Sequence, residues 1–321
     1  MWKSIVEQNV YTSPTPEGGR ESSPNATDGC SPEDFPKTER RCWRSHMEKP
    51  PQLGHGILEV SWVEGRSAIT RAQAVNPLKL LTPRRRGAAA WVYTSTFGGG
   101  LVAGDEIDLE VRIGPQATCV INTQSFTKVY KNPAKLRCGQ RLRATVSNDA
   151  LLVLAPDPVT CFAGATYNQQ QRFDVHPDGA LVVVDWLTSG RRARDECWAF
   201  SKYCSHLDVY VGQEHVLADR LLLDSVDGPL EAPYRMGRFH CLAVVVLVGE
   251  RLGEERQRLL EQVSGQPVKR ESQIIEAASP IRHGAVFRIM GMATEQVAQH
   301  LREKLRLLDK FLGDTPWARK W

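Results

Sequence analysis

A repeated strand–turn–strand pattern between residues 105 and 217 constrains the fold of this chain more than any other feature of its sequence. In each of four successive units, a strand that alternates polar and apolar residues is followed by a tight turn and by a strand that is apolar at nearly every position. The residues after the turns are Ala117, Ala150, Ala180 and His215, so the units recur about every 30 residues. A period of this length predicts hairpin-like coils that stack, each burying a face of its neighbour.

We therefore predict a mainly β protein, a layered, solenoid-like stack of β-hairpins in one elongated domain with two late α-helices. An ordinary β-sandwich with evenly spaced hairpins is the alternative that the pattern leaves open. The helices are predicted at 252–264 and 294–312, where leucine and valine recur at helical spacing. Basic residues fill the other face of the second helix, and we expect that face to be solvated; they are Arg302, Lys304, Arg306 and Lys310.

Composition divides the chain near residue 53. Residues 1–52 contain no leucine and are rich in proline and in charges of both signs. Such a segment cannot bury enough apolar surface to offset the entropy lost on ordering it. We predict a disordered N-terminal extension over 1–52 and a β domain over 53–321 that includes both helices.

Charge and hydropathy limit the partners of the protein. The 41 Lys and Arg residues nearly balance the 37 Asp and Glu residues, a formal net charge of +4, which does not favour a nucleic-acid binder. The longest apolar run, residues 242–248, is too short to cross a bilayer. The N-terminus has neither a secretory signal nor the composition of a transit peptide. We expect a cytoplasmic protein with no membrane and no nucleic-acid partner.

The glycine run at residues 98–100, followed by Gly104, does not have the context of a phosphate-binding loop. No Gly-Lys-Ser/Thr follows it, and the next element is an alternating strand, not a helix. The glycines more plausibly permit left-handed backbone or close packing. The sequence also lacks the G-x-S-x-G nucleophile elbow of many hydrolases. The absence of these motifs predicts no catalytic residues.

Acidic residues near 105–110 leave one enzymatic alternative open. Glu106, Asp108 and Glu110 alternate along a strand, which is typical of a solvated sheet face. A β-solenoid carbohydrate-active enzyme would instead need two such carboxylates facing one groove. The segment 188–196 has three arginines beside two acids. It either binds carboxylates of a partner or pairs internally.

The cysteines predict neither a disulfide framework nor a fixed metal site. The chain has eight cysteines and no C-x-x-C motif. Cys197, Cys204 and His206 offer soft ligands in one stretch, whereas His240 and Cys241 are adjacent and cannot face the same side of a strand. We predict no tightly bound cofactor, and the identity of any metal ligands stays unknown.

Two segments of the chain resemble a known protein family. Residues 96–105, Thr-Phe-Gly-Gly-Gly-Leu-Val-Ala-Gly-Asp, are similar to the Gly-Gly-x-x-x-Gly-Asp signature that precedes a strand in the UreD/UreH family of urease accessory proteins. Residues 123–130, Thr-Gln-Ser-Phe-Thr-Lys-Val-Tyr, resemble the threonine-rich segment of that family. Both segments occur in the family's order.

Two later segments extend the resemblance over roughly residues 55–312. Residues 154–162, Leu-Ala-Pro-Asp-Pro-Val-Thr-Cys-Phe, look like the family's Leu-x-Pro stretch in the form of its eukaryotic members. Residues 185–191, Asp-Trp-Leu-Thr-Ser-Gly-Arg, with Glu196-Cys-Trp198, are similar to its Ser-Gly-Arg and Gly-Glu-x-Trp element. Asp195 stands where the family usually has glycine, at a position where Asp tolerates left-handed backbone better than most residues.

The resemblance implies a scaffold for nickel delivery. Proteins of the family bind the urease apoprotein and join a second urease accessory protein and a nickel-carrying GTPase. Nickel is then an ion in transit, and the GTPase activity belongs to a partner. The resemblance therefore implies that this chain has no enzymatic activity of its own. The family fold is a layered β structure with a few helices.

The resemblance also implies an internal, water-lined passage, with Thr123, Asp157 and Thr160 as expected lining residues. The segments 98–105 and 123–130 are expected to be structural beside it. The candidate site residues taken from the four segments are Gly99, Gly100, Gly104, Asp105, Thr123, Lys128, Tyr130, Pro156, Asp157, Gly190, Arg191 and Glu196.

Overall fold

The computed structural model describes residues 52–83 and 87–317 of the chain. The predicted disordered extension lies outside the described residues apart from Gln52, so that prediction and the domain boundary at residue 53 stay predictions.

The helices of the described part are α1 (Gly253–Ser264), α2 (Thr294–Lys304) and α3 (Asp309–Leu312). Its strands are β1 (Gln52–Val63), β2 (Arg66–Ala74), β3 (Leu78–Leu81), β4 (Ala90–Thr96), β5 (Asp105–Ile113), β6 (Thr118–Thr123), β7 (Thr127–Val129), β8 (Gly139–Val146), β9 (Leu151–Leu154), β10 (Val159–Cys161), β11 (Thr166–Val175), β12 (Ala180–Thr188), β13 (Lys202–Val211), β14 (Glu214–Asp224), β15 (Cys241–Val248), β16 (Ile274–Ile281) and β17 (Gly284–Gly291).

Most of these strands belong to two large sheets that share one hydrophobic core. Sheet 1 has the strand order β14-β13-β11-β8-β5-β1-β2, and sheet 2 has the order β16-β17-β15-β12-β9-β6-β4-β3. The short β10 pairs with β12 and with β7 at one end of sheet 2. The central strands of both sheets are parallel, namely β1, β5, β8, β11 and β13 in sheet 1 and β4, β6, β9 and β12 in sheet 2.

The mainly β, solenoid-like fold is confirmed, and the structure shows how each unit is built. In the first three units the strand before the tight turn lies in sheet 1 and the strand after it lies in sheet 2. The two strands therefore pair with equivalent strands of neighbouring units and not with each other, so these units are solenoid coils. The fourth unit, β13–β14, is an antiparallel hairpin within sheet 1.

Burial explains why the two strands of a coil separate. Along β12, Leu181 and Val183 point into the core between the sheets, whereas Val182 and Val184 point to the opposite side, where the helices pack. Sheet 2 is thus covered on both faces and accepts nearly continuous apolar strands. Sheet 1 has one inner face and one outer face, which accommodates strands of alternating polarity such as β5.

Glu106, Asp108 and Glu110 lie on the outer face of sheet 1, as predicted, whereas Asp105 is buried. The carboxylate of Asp108 lies 3.4 Å from Arg141 and 3.1 Å from Arg143, and that of Glu110 lies 2.6 Å from Arg112. Asp108 and Glu110 are therefore matched with cations across and along the strands. This arrangement does not favour the carbohydrate-active alternative, which requires two carboxylates facing a single groove.

The two late helices are confirmed, with one interruption. Helix α1 begins after a 3₁₀ turn at Glu250–Leu252, and the helix predicted at 294–312 changes to a 3₁₀ turn at Leu305–Leu308 before α3. Residues three apart lie in line in a 3₁₀ turn, which keeps Leu305 and Leu308 both buried against sheet 2. None of the helices in the described residues has the length and apolar character to span a bilayer.

Lys304 departs from the expected solvated basic face. Arg302, Arg306 and Lys310 are exposed. The ammonium of Lys304 instead lies 2.8 Å from the carboxylate of Glu276 on β16, and the two side chains are only 3% and 11% exposed. The expectation was wrong for Lys304 because this position of α2 faces the sheet, where a buried cation needs a partner carboxylate.

Substituting Glu276 tests whether this ion pair holds α2 on the sheet. Glu276→Gln leaves the buried ammonium of Lys304 without a counter-charge, so we expect the free energy of unfolding to fall by about 3 kcal/mol at pH 7. The control Glu303→Gln, on the exposed side of α2, should cost less than about 0.5 kcal/mol. Urea denaturation measures both.

The pH dependence of the same variant gives a second readout. Burial raises the pKa of Glu276, but hydrogen bonds from His300 and Lys304 outweigh it and lower the pKa overall. A lowered native pKa stabilises the fold above the unfolded pKa, and this contribution disappears as the pH falls through the native value. The stability gap between wild type and Glu276→Gln should narrow in acid. A gap that is small at pH 7, or that widens in acid, would contradict the role given to the pair.

Candidate functional site

The long connections of the parallel coils lie at one end of the two sheets, and the tight turns at residues 114–117, 147–150 and 176–179 lie at the other end. The parallel strands of sheet 1 begin at the end that carries the long connections, and the parallel strands of sheet 2 finish at that end. Long connections are where folds usually carry functional groups. We call these connections arches 1 to 4, residues 97–104, 124–138, 155–165 and 189–201, and the four family-like segments fall on them or on the adjoining strand ends.

The arches continue the stacking of the coils. Leu101 of arch 1 forms a parallel bridge with Val129 of arch 2. Strand β7 of arch 2 pairs with β10 of arch 3, and β10 pairs with the end of β12, which leads into arch 4. Residues separated by about 30 positions in the sequence are therefore neighbours at this end of the fold.

Glycine at position 100 allows arch 1 to approach arch 2. The N–H of Leu101 donates to the carbonyl of Lys128 at 2.8 Å, and the N–H of Tyr130 donates to the carbonyl of Leu101 at 2.9 Å. A Cβ atom on Gly100 would lie 2.6 Å from the Lys128 carbonyl oxygen and 2.6 Å from the Tyr130 ring. Gly100, Lys128 and Tyr130 thus form one structural contact between two of the predicted segments.

Buried Asp105 stabilises the turn at the end of arch 1 through hydrogen bonds to Val102. Its carboxylate accepts a hydrogen bond from the N–H of Val102 at 2.9 Å, and its own N–H donates to the Val102 carbonyl at 3.0 Å. The preceding Gly104 has φ of +94° and donates its N–H to the carbonyl of Arg137. Asp105 is buried and serves this turn, and it is not among the residues that line the cavity described below.

Aromatic and ionic contacts join arch 2 to arches 3 and 4. The Tyr130 ring packs edge to face on Phe162, with centroids 5.1 Å apart, and the guanidinium of Arg191 lies 3.9 Å from the Phe162 centroid. Arg191 donates from Nε to Oε2 of Glu196 at 2.8 Å, and the N–H of Ala163 donates to the same oxygen at 3.2 Å. The hydrogen bond from Arg191 lowers the pKa of Glu196. Arg191 and Glu196 therefore pair internally, one of the two alternatives for this segment.

The backbone of arch 4 explains the departure of Asp195 from the family pattern. Asp195 has φ of 56° and ψ of 21°, the left-handed conformation in which glycine is favoured and Asp is tolerated. Gly190 has φ of +122°, and a Cβ atom there would lie 3.1 Å from the carbonyl oxygen of Glu196. The backbone conformation of arch 4 therefore depends on a positive φ at both Gly190 and Asp195.

Beneath the arches, a cavity of about 90 Å³ lies between the two sheets, with room for several water molecules. Four of the predicted site residues line it: Gly99, Thr123, Pro156 and Asp157. The Thr123 hydroxyl accepts a hydrogen bond from the backbone N–H of Asp157 at 2.8 Å, which ties arch 3 to the end of β6. The hydroxyl of Thr160 lies 2.9 Å from that of Thr188, and Thr160 is not a lining residue.

A carboxylate lies at the inner wall of this cavity. Asp185 sits in the middle of apolar β12 and accepts hydrogen bonds from Gln169 Nε2 and from Ser205 Oγ, both at 2.9 Å. Gln169 in turn accepts a hydrogen bond from Gln140 Nε2 at 3.0 Å. Burial raises the pKa of Asp185, and the two hydrogen bonds to it only partly offset that rise. Its accessible surface faces the cavity.

The cavity wall also contains a polar atom with no protein partner. Oε1 of Gln171 is buried and receives no hydrogen bond from any described residue. Buried polar atoms of this kind are usually satisfied by water or by an ion. Along the inward face of β11, the polar Gln169 and Gln171 lie between the apolar Tyr167 and Phe173. The cavity is therefore a polar interruption of a hydrophobic core.

The sequence interpretation missed the inner wall of the cavity. In the sequence, Asp185 is part of a family-like segment and is not a candidate site residue. The other residues of the inner wall are not candidates either; they are Gln140, Gln169, Gln171 and Ser205. One signal was available, because an acid within the apolar run of β12 is costly to bury without a function. The inward-facing glutamines could not be found, since glutamine is equally common on outer sheet faces.

The donors around the cavity are suited to loose binding of a cation. They are carboxylate, hydroxyl, amide and carbonyl oxygens, and the described residues that line the cavity include neither cysteine nor histidine. Among the described residues, no cluster of three or more His, Cys, Asp or Glu side chains is arranged to hold a metal ion. Sparse oxygen ligands leave a divalent ion with much of its hydration, which favours exchange over retention.

Comparisons with known proteins agree with this geometry. Residues 52–321 match the family model described as UreD urease accessory protein. A Sorangium cellulosum protein named "Urease accessory protein UreD" is 45% identical over 271 residues, covering 84% of this chain and 85% of that protein. An Arabidopsis thaliana protein named "Urease accessory protein D" is 38% identical, covering 83% of this chain and 100% of that protein.

The match spans all the described residues, and therefore both sheets, the four arches, the cavity and the late helices. Its bacterial and plant relatives are similar over most of their own lengths. The chain belongs to the UreD family of urease accessory proteins.

Proposed function

We propose that this protein acts in the cytoplasm as a scaffold of urease maturation, passing nickel to the urease apoprotein together with a second urease accessory protein and a nickel-carrying GTPase. Its membership of the UreD family and the names of its relatives support a role as a urease accessory protein. In this role the chain makes and breaks no covalent bond of its own. Nickel is its cargo, and no cofactor is held permanently.

The observation that carries the proposal is the carboxylate of Asp185 at the inner wall of a polar cavity. A fold that needed only a stable core would place an apolar residue here, because the neighbouring inward residues of β12 are Val183 and Leu187. Retaining an acid at this position costs desolvation energy. Binding of a cation in transit would explain why an acid is retained at this position despite that desolvation energy.

Delivery also requires that nickel leaves the protein. A compact set of thiolates and imidazoles would hold nickel tightly, whereas isolated carboxylate and carbonyl oxygens exchange it. Asp185 offers two oxygens, each of which already accepts a hydrogen bond, so it can balance the charge of a hydrated ion without enclosing it. The cavity chemistry therefore supports a conduit and not a store.

The stacked arches support a partner-facing role for the end of the fold above the cavity. Gly99, Thr123 and Asp157 link the arches to the cavity wall. Phe97 and Phe126, in arches 1 and 2, are 52% and 43% exposed. Exposed aromatic side chains at a functional end are typical of protein contact surfaces.

A gene-replacement experiment tests the function. The host produces urease, but its own gene for this accessory protein is deleted. The wild-type gene should restore urease activity. The Asp185→Asn gene should restore about tenfold less urease activity at limiting nickel, with normal levels of urease protein. The control Asp178→Asn changes an exposed acid in a turn at the opposite end and should act like wild type. Full activity in the deletion strain itself would refute the proposed role. If the deletion strain is inactive but Asp185→Asn restores full urease activity, the role of Asp185 in an ion conduit is refuted.

Stability against pH separates a functional acid from a structural one. Because burial raises the native pKa of Asp185, ionisation opposes folding, so wild type loses stability as the pH rises through that pKa. Asp185→Asn does not ionise, so it should gain stability relative to wild type as the pH rises from the pKa of an unfolded aspartate through the raised native pKa. Chemical denaturation at several pH values measures this trend. A variant that loses stability increasingly as the pH rises would show that the charged carboxylate supports the fold.

A further inference from the structure

The two soft donors on β13 come together on the outer face of sheet 1. Tyr203, Ser205 and Leu207 point into the core, so Cys204 and His206 point outward. Sγ of Cys204 lies 3.4 Å from Nε2 of His206, and both side chains are half-buried. Ser205 between them reaches Asp185 on the cavity side, so the sheet separates this pair from the cavity.

Two oxygen donors stand beside the pair on the neighbouring strand. Asn168 of β11 is in register with Cys204, and Gln170 is in register with His206. Adjacent strands lie about 4.8 Å apart, so the four side chains form the corners of one outward-facing patch. The patch provides one sulfur, one imidazole nitrogen and the amide oxygen of Asn168. The amide oxygen of Gln170 already accepts a hydrogen bond from Nε of Arg141 at 3.3 Å. Cys204, Asn168 and Gln170 also line an open groove on this face, which gives solvent ions access.

Several cations lie beside the patch, and each of the following is bound by another group. Nε of Arg141 donates to Oε1 of Gln170 at 3.3 Å, and the Arg141 guanidinium lies 3.4 Å from the carboxylate of Asp108. Arg220 of β14 is in register with His206, but its guanidinium binds Asp208 Oδ1 at 2.6 Å and the Leu207 carbonyl at 3.2 Å. The ammonium of Lys202 lies 3.1 Å from the carboxylate of Asp224. These contacts draw positive charge away from the thiol and the imidazole.

A second cysteine–histidine contact provides an internal comparison. Sγ of Cys197 lies 3.3 Å from Nδ1 of His240. Burial, and secondly the positive charge of Arg192, lower the pKa of His240. A cation close to the imidazole repels a metal ion, and this pair has no register-matched amide donors of the kind found beside Cys204. The two pairs should therefore differ in metal affinity.

We propose that Cys204 and His206 form a surface site for a borderline-soft divalent transition-metal ion, with Asn168 as an oxygen ligand. Binding releases the thiol proton to solvent and replaces the Sγ–Nε2 contact with one metal–sulfur bond and one metal–nitrogen bond. Thiolate and imidazole select such ions over magnesium and calcium. With only two strong ligands, the site exchanges its ion readily. The site is independent of the interior conduit and does not rest on it.

Cobalt(II) titration of the reduced full-length protein tests the site, because thiolate-to-cobalt charge transfer absorbs in the near ultraviolet. We expect the band in wild type and in Cys197→Ser, its loss in Cys204→Ser, and about tenfold weaker binding in His206→Gln. Absence of the band in wild type, its survival in Cys204→Ser, or its loss in Cys197→Ser would overturn the proposal.

A measurement on wild type alone guards against misfolded variants. Zinc(II) should slow alkylation of Cys204 by iodoacetamide, followed by peptide mass spectrometry, and should leave the rate at Cys197 unchanged. Equal protection of both thiols, or protection of neither, would contradict a selective site. Because both readouts report metal contact and not urease activity, failure here leaves the proposed maturation role untouched, and failure of that role leaves this site standing.

Discussion

Burial of sheet 2 on both faces is the constraint from which the rest of the structure follows. Its apolar strands β9, β12 and β15 need cover on each side, so sheet 1 packs on one face and the late helices pack on the other. A tight turn that carries the chain from sheet 1 to sheet 2 repeats this solution in each coil. The longer return from sheet 2 to sheet 1 must then lie at the opposite end, and the four arches gather there.

The cavity is a local exception to that constraint. Directly below the arches, the inward positions of β11 and β12 change from apolar side chains to Gln169, Gln171 and Asp185. These groups interrupt the hydrophobic core and leave one glutamine oxygen without a hydrogen-bond partner among the described residues. The fold thus provides an apolar frame with a polar cavity directly below the arches, which is the arrangement that the proposed transfer of a hydrated ion requires.

Local patterns predicted the layers of this protein well and its interior poorly. The contrast between alternating and continuous apolar strands identified the repeat, and leucine spacing identified the helices, because both depend on residues near in sequence. That turn-linked strands enter different sheets depends on long-range packing, as does the inward direction of Lys304. Four residues chosen by family resemblance line the cavity, whereas Asp185 acquires its environment from Gln169 and Ser205 on other strands. Such convergence is not visible in one strand's pattern.

Filling the cavity is the most direct test of the central claim that an ion passes through the interior of this protein. Thr123→Trp would occupy the space between the arches and Asp185, whereas Thr145→Trp places the same ring on the exposed outer face of sheet 1. The measurement is the nickel content of urease after activation with purified components, together with co-purification of each variant with urease. The account predicts that both variants bind urease and that only Thr123→Trp leaves it nickel-poor. A full nickel complement with Thr123→Trp would contradict it.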